Sequence, residues 1–94
     1  MDIFKVTLSR QAKNDLIGIP SYIVRKLLAW VDDVEISGLN KTRKIPGYHD
    51  EPLKGNRIGQ RSIRLNRAYR AIYKICQEGS IEIVNILEVN KHAY

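Results

Sequence analysis

Tyr69-Arg70-Ala71-Ile72-Tyr73-Lys74-Ile75-Cys76-Gln77-Glu78-Gly79-Ser80-Ile81-Glu82-Ile83-Val84-Asn85-Ile86-Leu87-Glu88-Val89 is the stretch that decides the fold. β-Branched and aromatic residues fill both halves, and Glu78-Gly79 between them is a tight-turn signal, so the stretch predicts an antiparallel hairpin. Just upstream, Ser62-Ile63-Arg64-Leu65 alternates and Asn66-Arg67-Ala68 reads as a turn, which adds a third strand. Bases at 57, 61, 64, 67 and 70 also fit a helical spacing, but the β-branched content and the Gly79 turn outweigh it.

Working back toward the start, Ile3-Phe4-Lys5-Val6-Thr7-Leu8 reads as a short strand. Ser9 is a suitable N-cap for a short helix running to about Ile17, closed by Gly18. Pro20 fits a first helical position, and Ile23, Leu27, Trp30 and Val34 then step at i, i+4, i+7 and i+11. That spacing predicts one apolar stripe on a helix to Ser37, with Gly38 as its C-cap and Trp30 in the core. Residues 39–60 carry Pro46, Gly47, Pro52, Gly55 and Gly59 without periodicity, and read as a long loop with a brief strand near Lys44. A loop of that length inside a small domain is usually functional. The element order β-α-α-β-β-β predicts an α+β domain: an antiparallel sheet of about four strands with two helices on one face. The 94 residues contain no repeat or linker, so a single domain over 1–94 is expected.

Composition narrows the function classes. Hydrophobic residues make up 44% and charged residues 28%, an ordinary globular balance that argues against disorder. The longest apolar run, Leu27-Leu28-Ala29-Trp30-Val31, is far short of the ~20 residues of a membrane span. Met1-Asp2-Ile3-Phe4-Lys5 lacks the pattern of a secretory signal, so a cytoplasmic protein without membrane contact is expected. The single cysteine, Cys76, reads as a small buried hydrophobe, and no His/Cys/Asp cluster has metal-ligand spacing, so neither metal nor cofactor is expected.

Charge is the sharper signal. The net charge is +6, and residues 1–37 balance five bases against five acids, so the whole surplus lies beyond them. Lys41, Arg43, Lys44, Lys54, Arg57, Arg61, Arg64, Arg67 and Arg70 face only Asp50 and Glu51 within residues 40–70. A field this one-sided attracts phosphates or acidic protein surfaces.

In an antiparallel meander, Glu51 from the loop, Arg64 and Arg70 from adjacent strands, and His92 and Tyr94 past the last strand can converge. Cleavage of RNA by its own 2′-hydroxyl needs such a set. A base takes the hydroxyl proton, cations hold the pentavalent phosphorane, and an acid protonates the 5′-oxygen. Taken singly, each group has a plainer explanation. Glu51 reads as a loop carboxylate paired with an arginine, and His92 and Tyr94 as surface residues near a chain end. Tyr48, Tyr69 and Tyr73 are possible base-stacking rings, although Tyr69 and Tyr73 share a strand face that points to the core.

In combination the motifs are more specific. Glu51-Pro52-Leu53-Lys54-Gly55, Gly59-Gln60-Arg61-Ser62-Ile63-Arg64, Tyr69-Arg70-Ala71-Ile72-Tyr73 and Val89-Asn90-Lys91-His92-Ala93-Tyr94 occur in that order. The chain thereby resembles the RelE/HigB/YoeB superfamily of bacterial type II toxins, small ribosome-dependent mRNA endonucleases. The resemblance implies a microbial-ribonuclease-like fold, metal-independent cleavage of mRNA in the ribosomal A site, contact with small-subunit rRNA, and neutralisation by a cognate antitoxin. It implies that Glu51 is the general base and Lys54 a phosphate contact. By the same resemblance Arg70 stabilises the transition state, and Arg64 falls where related chains carry a strand lysine. His92 and Tyr94 resemble the catalytic tail, with either as the proton donor, while Lys41, Arg43, Lys44, Arg57, Arg61 and Arg67 are expected to meet RNA.

One position departs from the family pattern: Ala93 stands where Asp is expected between His92 and Tyr94. Alanine can neither accept a hydrogen bond nor carry a proton, so a weakened toxin that keeps antitoxin and ribosome binding is one alternative. The other is a ParE-like toxin that inhibits DNA gyrase by protein contact and has no nuclease chemistry.

Overall fold

The computed structural model describes residues 1–91. Its elements are β1 (Val6–Leu8), α1 (Arg10–Asp15), α2 (Ser21–Ser37), α3 (Leu39–Thr42), β2 (Glu51–Pro52), β3 (Gln60–Arg64), β4 (Tyr69–Glu78) and β5 (Ile81–Lys91), with single 3₁₀ turns at Pro46–Tyr48 and Gly55–Arg57. The strands form one sheet in the order β1-β5-β4-β3-β2. Pairing is antiparallel throughout except between β1 and β5, which run parallel with Val6 opposite Val84 and Leu8 opposite Ile86.

The α+β architecture is the expected one, with the helices on one face of the sheet. Ile23, Leu27, Trp30 and Val34 of α2 are all fully buried against Ile63, Ala71, Tyr73, Val84, Ile86 and Val89. The rings of Trp30 and Tyr73 lie 5.1 Å apart at 44°, a tilted contact that fixes α2 over β4. Ser9 caps α1 by accepting from the Ala12 amide, and its hydroxyl also donates to the Leu87 carbonyl. Gly38 ends α2 with φ +89, and a Cβ there would collide with the Asp2 carboxylate. That carboxylate accepts from the Ile3 and Asn40 amides, and the Asn40 bond above all holds it below the usual Asp range.

Four details differ from the expectation. The sheet has five strands rather than about four, the addition being β2, and it is mixed rather than antiparallel, because β1 pairs in parallel with the edge of β5. The predicted strand near Lys44 is absent, since α3 and a following turn occupy residues 39–45. The strand of that region is β2, two residues long, with Glu51 opposite Ser62 and Pro52 opposite Arg61. Cys76 is half-buried rather than buried.

β4 and β5 also change register between Ile72 and Tyr73, where Ile72 faces Glu88 and Tyr73 faces Ile86. Leu87 is the extra residue of this bulge. Past Ile86 the outer edge of β5 has no strand beside it, and α1 supplies partners instead. Ser9 Oγ donates to the Leu87 carbonyl at 2.7 Å, and Asp15 Oδ2 accepts from the Val89 amide at 2.9 Å.

Candidate active site

Side chains alternate across a strand, so residues directly opposite one another share a face. Glu51 lies opposite Ser62, and Arg64 lies opposite Arg70, which in turn lies opposite Asn90. By that alternation Glu51, Ser62, Arg64, Arg70 and Asn90 share the face turned away from the helices. A cavity of about 220 Å³ opens there, lined by His49, Glu51, Leu53, Ser62, Ile63, Arg64, Asn66 and Arg70. Glu51, Arg64, Arg70 and His49 thus border a space of nucleotide-linkage size. Guanidiniums hold phosphoryl oxygens through directed, charge-assisted bonds, and a carboxylate beside them can take a proton.

Local structure explains how each group is held. Asn66 builds the β3–β4 turn by accepting from the Ala68 and Tyr69 amides at 2.8 and 2.7 Å, which sets Arg64 and Arg70 at the two ends of one tight turn. Arg70 Nε donates to Asn90 Oδ1 at 3.4 Å, and Asn90 Nδ2 donates to Glu88 Oε1 at 2.9 Å. Glu88 also pairs with Arg57 at 3.2 Å, and Arg57 Nε donates to Gln60 at 2.9 Å. A polar chain therefore runs across the open face and steadies Arg70 from behind.

Glu51 is anchored by its neighbour. β2 is short, and Pro52 cannot donate to the ladder. Asp50 points to the helix side, its side chain fully buried, and accepts from Arg61 Nε and from the Tyr73 hydroxyl, both at 2.6 Å. Burial first, then the Asp50 carboxylate, pushes the Tyr73 phenol well above its ordinary value. Burial works against the Arg61 charge, but Asp50 outweighs it and holds the guanidinium above its ordinary range. One turn earlier, Tyr48 is buried and its hydroxyl donates to Asp33 Oδ2 at 3.1 Å. Burial, followed by Asp33, pushes Tyr48 up to about 12. Between these two anchors His49 has φ 46 and ψ 50, in the left-handed region.

The candidate residues fall into separate groups. Glu51, Arg64 and Arg70 line the cavity together. Lys54 is exposed in the loop after β2, outside the cavity lining. Arg57 pairs with Glu88, whereas Arg61 is turned to the helix side and engaged by Asp50. Arg67 is exposed in the β3–β4 turn. Lys41 lies in α3 with Arg43 and Lys44 just beyond it, all three outside the cavity lining. Tyr48 and Tyr73 are buried in the core and so closed to stacked bases, while Tyr69 is half-buried against it. His92 and Tyr94 lie outside the described residues.

Sequence reading missed His49, Ser62 and Asn66 as cavity residues, and Asp50 as the anchor. Alternation carried a signal for Ser62, which stands two residues from Arg64 on the same strand. Among the described residues, no group of three or more His, Cys, Asp or Glu side chains could hold a metal ion. No helix among them is long and apolar enough to cross a membrane.

A family model for the ParE toxin of type II toxin-antitoxin systems (parDE) matches residues 6–93. No curated protein matches the sequence. Several solved structures share the fold. A YoeB/ParE toxin from Agrobacterium tumefaciens is 19% identical, with 95% of this chain and 99% of that chain covered at a TM-score of 0.68. The YoeB dimer from Staphylococcus aureus is 21% identical, with 97% and 98% covered at 0.68. The RelBE2 toxin-antitoxin complex from Mycobacterium tuberculosis is 23% identical, with 96% and 99% covered at 0.67.

Proposed function

The chain belongs to the ParE toxin family of type II toxin-antitoxin systems, with the fold of RelE- and YoeB-type toxins, and from that premise we propose that it is a metal-independent endoribonuclease, a single domain over residues 1–94, that cuts mRNA on the ribosome in the cytoplasm. The observation that carries this reading is the shared cavity of Glu51, Arg64 and Arg70. Glu51 takes the proton from the ribose 2′-hydroxyl, and the 2′-oxygen attacks the adjacent phosphorus. The bond from phosphorus to the 5′-oxygen then breaks, leaving a 2′,3′-cyclic phosphate and a 5′-hydroxyl. Arg64 and Arg70 neutralise the charge that builds on the phosphorane, which is where fixed cations contribute most. Lys54 contacts a flanking phosphate, and Lys41, Arg43, Lys44, Arg57 and Arg67 meet rRNA. The family resemblance assigns the proton for the 5′-oxygen to His92 or Tyr94.

Partner chemistry follows from the same premise. YoeB from Staphylococcus aureus forms a complex with YefM, and RelBE2 is itself a toxin-antitoxin complex. A cognate antitoxin is therefore the protein partner of this chain.

The test is Glu51→Gln on programmed ribosomes. Cleavage should fall by about 100-fold or more, the usual worth of a positioned proton-transfer group, while ribosome and antitoxin binding persist. Cleavage at the wild-type rate would remove Glu51 from the chemistry. The second reading is a ParE-like toxin that inhibits DNA gyrase and has no nuclease chemistry. A supercoiling assay separates the two: gyrase poisoning without mRNA cleavage would support that reading and sink the first.

A further inference from the structure

We propose that His49 is a catalytic residue of this cavity and gives the proton to the departing 5′-oxygen. The proposal rests on the ribonuclease reading and adds a group that the family pattern does not assign.

Three observations carry it. First, His49 lines the cavity that Glu51, Arg64 and Arg70 line, beside the space where a phosphodiester would sit. Second, the backbone at His49 adopts φ 46 and ψ 50, an uncommon conformation outside glycine. The residues on either side are anchored, Tyr48 on Asp33 and Asp50 on Tyr73 and Arg61. Glycine or asparagine would take that conformation at less cost, yet the position holds an imidazole. Unfavourable backbone held in place by its surroundings concentrates at sites of function. Third, His49 and Glu51 belong to one short segment, separated by a single residue that is itself locked into the core.

The charged groups around the imidazole are Glu51 and Asp50 on its own segment, Arg64 on β3 and Arg70 on β4. An imidazole can carry a proton on a ring nitrogen and pass it to a departing oxygen. The step balances. Glu51 gains the 2′-hydroxyl proton, the new P–O2′ bond replaces the P–O5′ bond, and the 5′-oxygen leaves with the His49 proton. Solvent then returns one proton to His49 and removes one from Glu51. Beyond the described residues, Ala93 supplies no proton where the family pattern expects Asp.

The experiment compares wild type, His49→Gly, His49→Asn, Glu51→Gln and His92→Gln on ribosomes programmed with a short synthetic mRNA. Its scissile linkage carries either the natural 5′-oxygen or a 5′-bridging sulfur, a leaving group that needs no proton. With oxygen, both His49 variants should cut about 100-fold or more slowly, while melting at or above the wild-type temperature because the strained backbone is relieved. With sulfur, both should return to within a few-fold of wild type, whereas Glu51→Gln stays slow on both substrates. The proposal is overturned if the His49 variants cut the oxygen substrate at the wild-type rate. It is also overturned if sulfur fails to restore them, or if His92→Gln alone shows the sulfur rescue. Should wild type cut neither substrate, the ribonuclease reading itself has failed, an outcome distinct from the loss of His49 alone.

Discussion

Arg64 and Arg70 stand directly opposite each other across β3 and β4, two cations in register at the end of a tight turn. Like charges at opposed positions in a sheet work against pairing. The arrangement suits a shared anion between them better than it suits the fold. Arg64→Gln should therefore raise stability by a few tenths of a kcal/mol (~0.2–0.5) in urea denaturation, since Arg64 is exposed. The same variant should lower cleavage by about 100-fold or more. A loss of stability together with retained cleavage would contradict this assignment.

Asp50 predicts a steeper cost. Its buried carboxylate serves both Arg61 and the Tyr73 hydroxyl. Tyr73→Phe should cost about 1.5–3 kcal/mol, the loss of one bond to a charged group. Asp50→Ala should cost about 3 kcal/mol or more, because it leaves a phenol and a guanidinium without their partner. Urea denaturation of both variants and of the pair would measure the coupling. Equal costs for the two single variants would mean that Arg61 adds nothing.

Alkaline stability follows from the two buried phenols. Tyr48 is pushed up from 10.0 to about 12, and Tyr73 higher still, so folding favours their neutral forms. The unfolded chain ionises first. Their contribution is thus fully present below about pH 10 and is lost as pH rises toward 12 and beyond, once the unfolded phenols release protons that the folded ones keep. Tyr48→Phe and Tyr73→Phe should each flatten the fall of stability between pH 10 and 12 in chemical denaturation. An unchanged slope in both would argue that neither phenol is protected.

The α1 side chains that cover the edge of β5 make a local prediction. Asp15→Ala removes the acceptor of the Val89 amide, and Ser9→Ala removes both the α1 cap and the donor to Leu87. Ser9→Ala should cost about 1–2 kcal/mol. In Asp15→Ala the Val89 amide should exchange with solvent much faster, while amides in the middle of β4 keep their protection. Hydrogen exchange read by NMR distinguishes this local fraying from general destabilisation.

Much of this arrangement was legible in the residues themselves, and what was not has a physical reason. The stripe of Ile23, Leu27, Trp30 and Val34 and the Gly79 hairpin are local patterns, and local patterns survive into the fold. Val6 and Val84 are far apart in sequence, and no local periodicity announces a parallel partner at that range. β2 has two residues, one of them proline, too short to alternate. The grouping of Glu51 with Arg64 and Arg70 follows from strand alternation once the hairpins are in register. Arg61 misled because the basic stretch reads as one field, while the sheet divides it between two faces.

The parallel pairing of Val6–Leu8 with Val84–Ile86 also constrains how the protein comes to exist. During synthesis β1 waits without this ladder until Val84–Ile86 have been added. The scaffold beneath the two opposed arginines is likewise incomplete until Glu88 and Asn90 have been added. The finished surface therefore forms late, only after Ile81–Lys91 has joined the sheet.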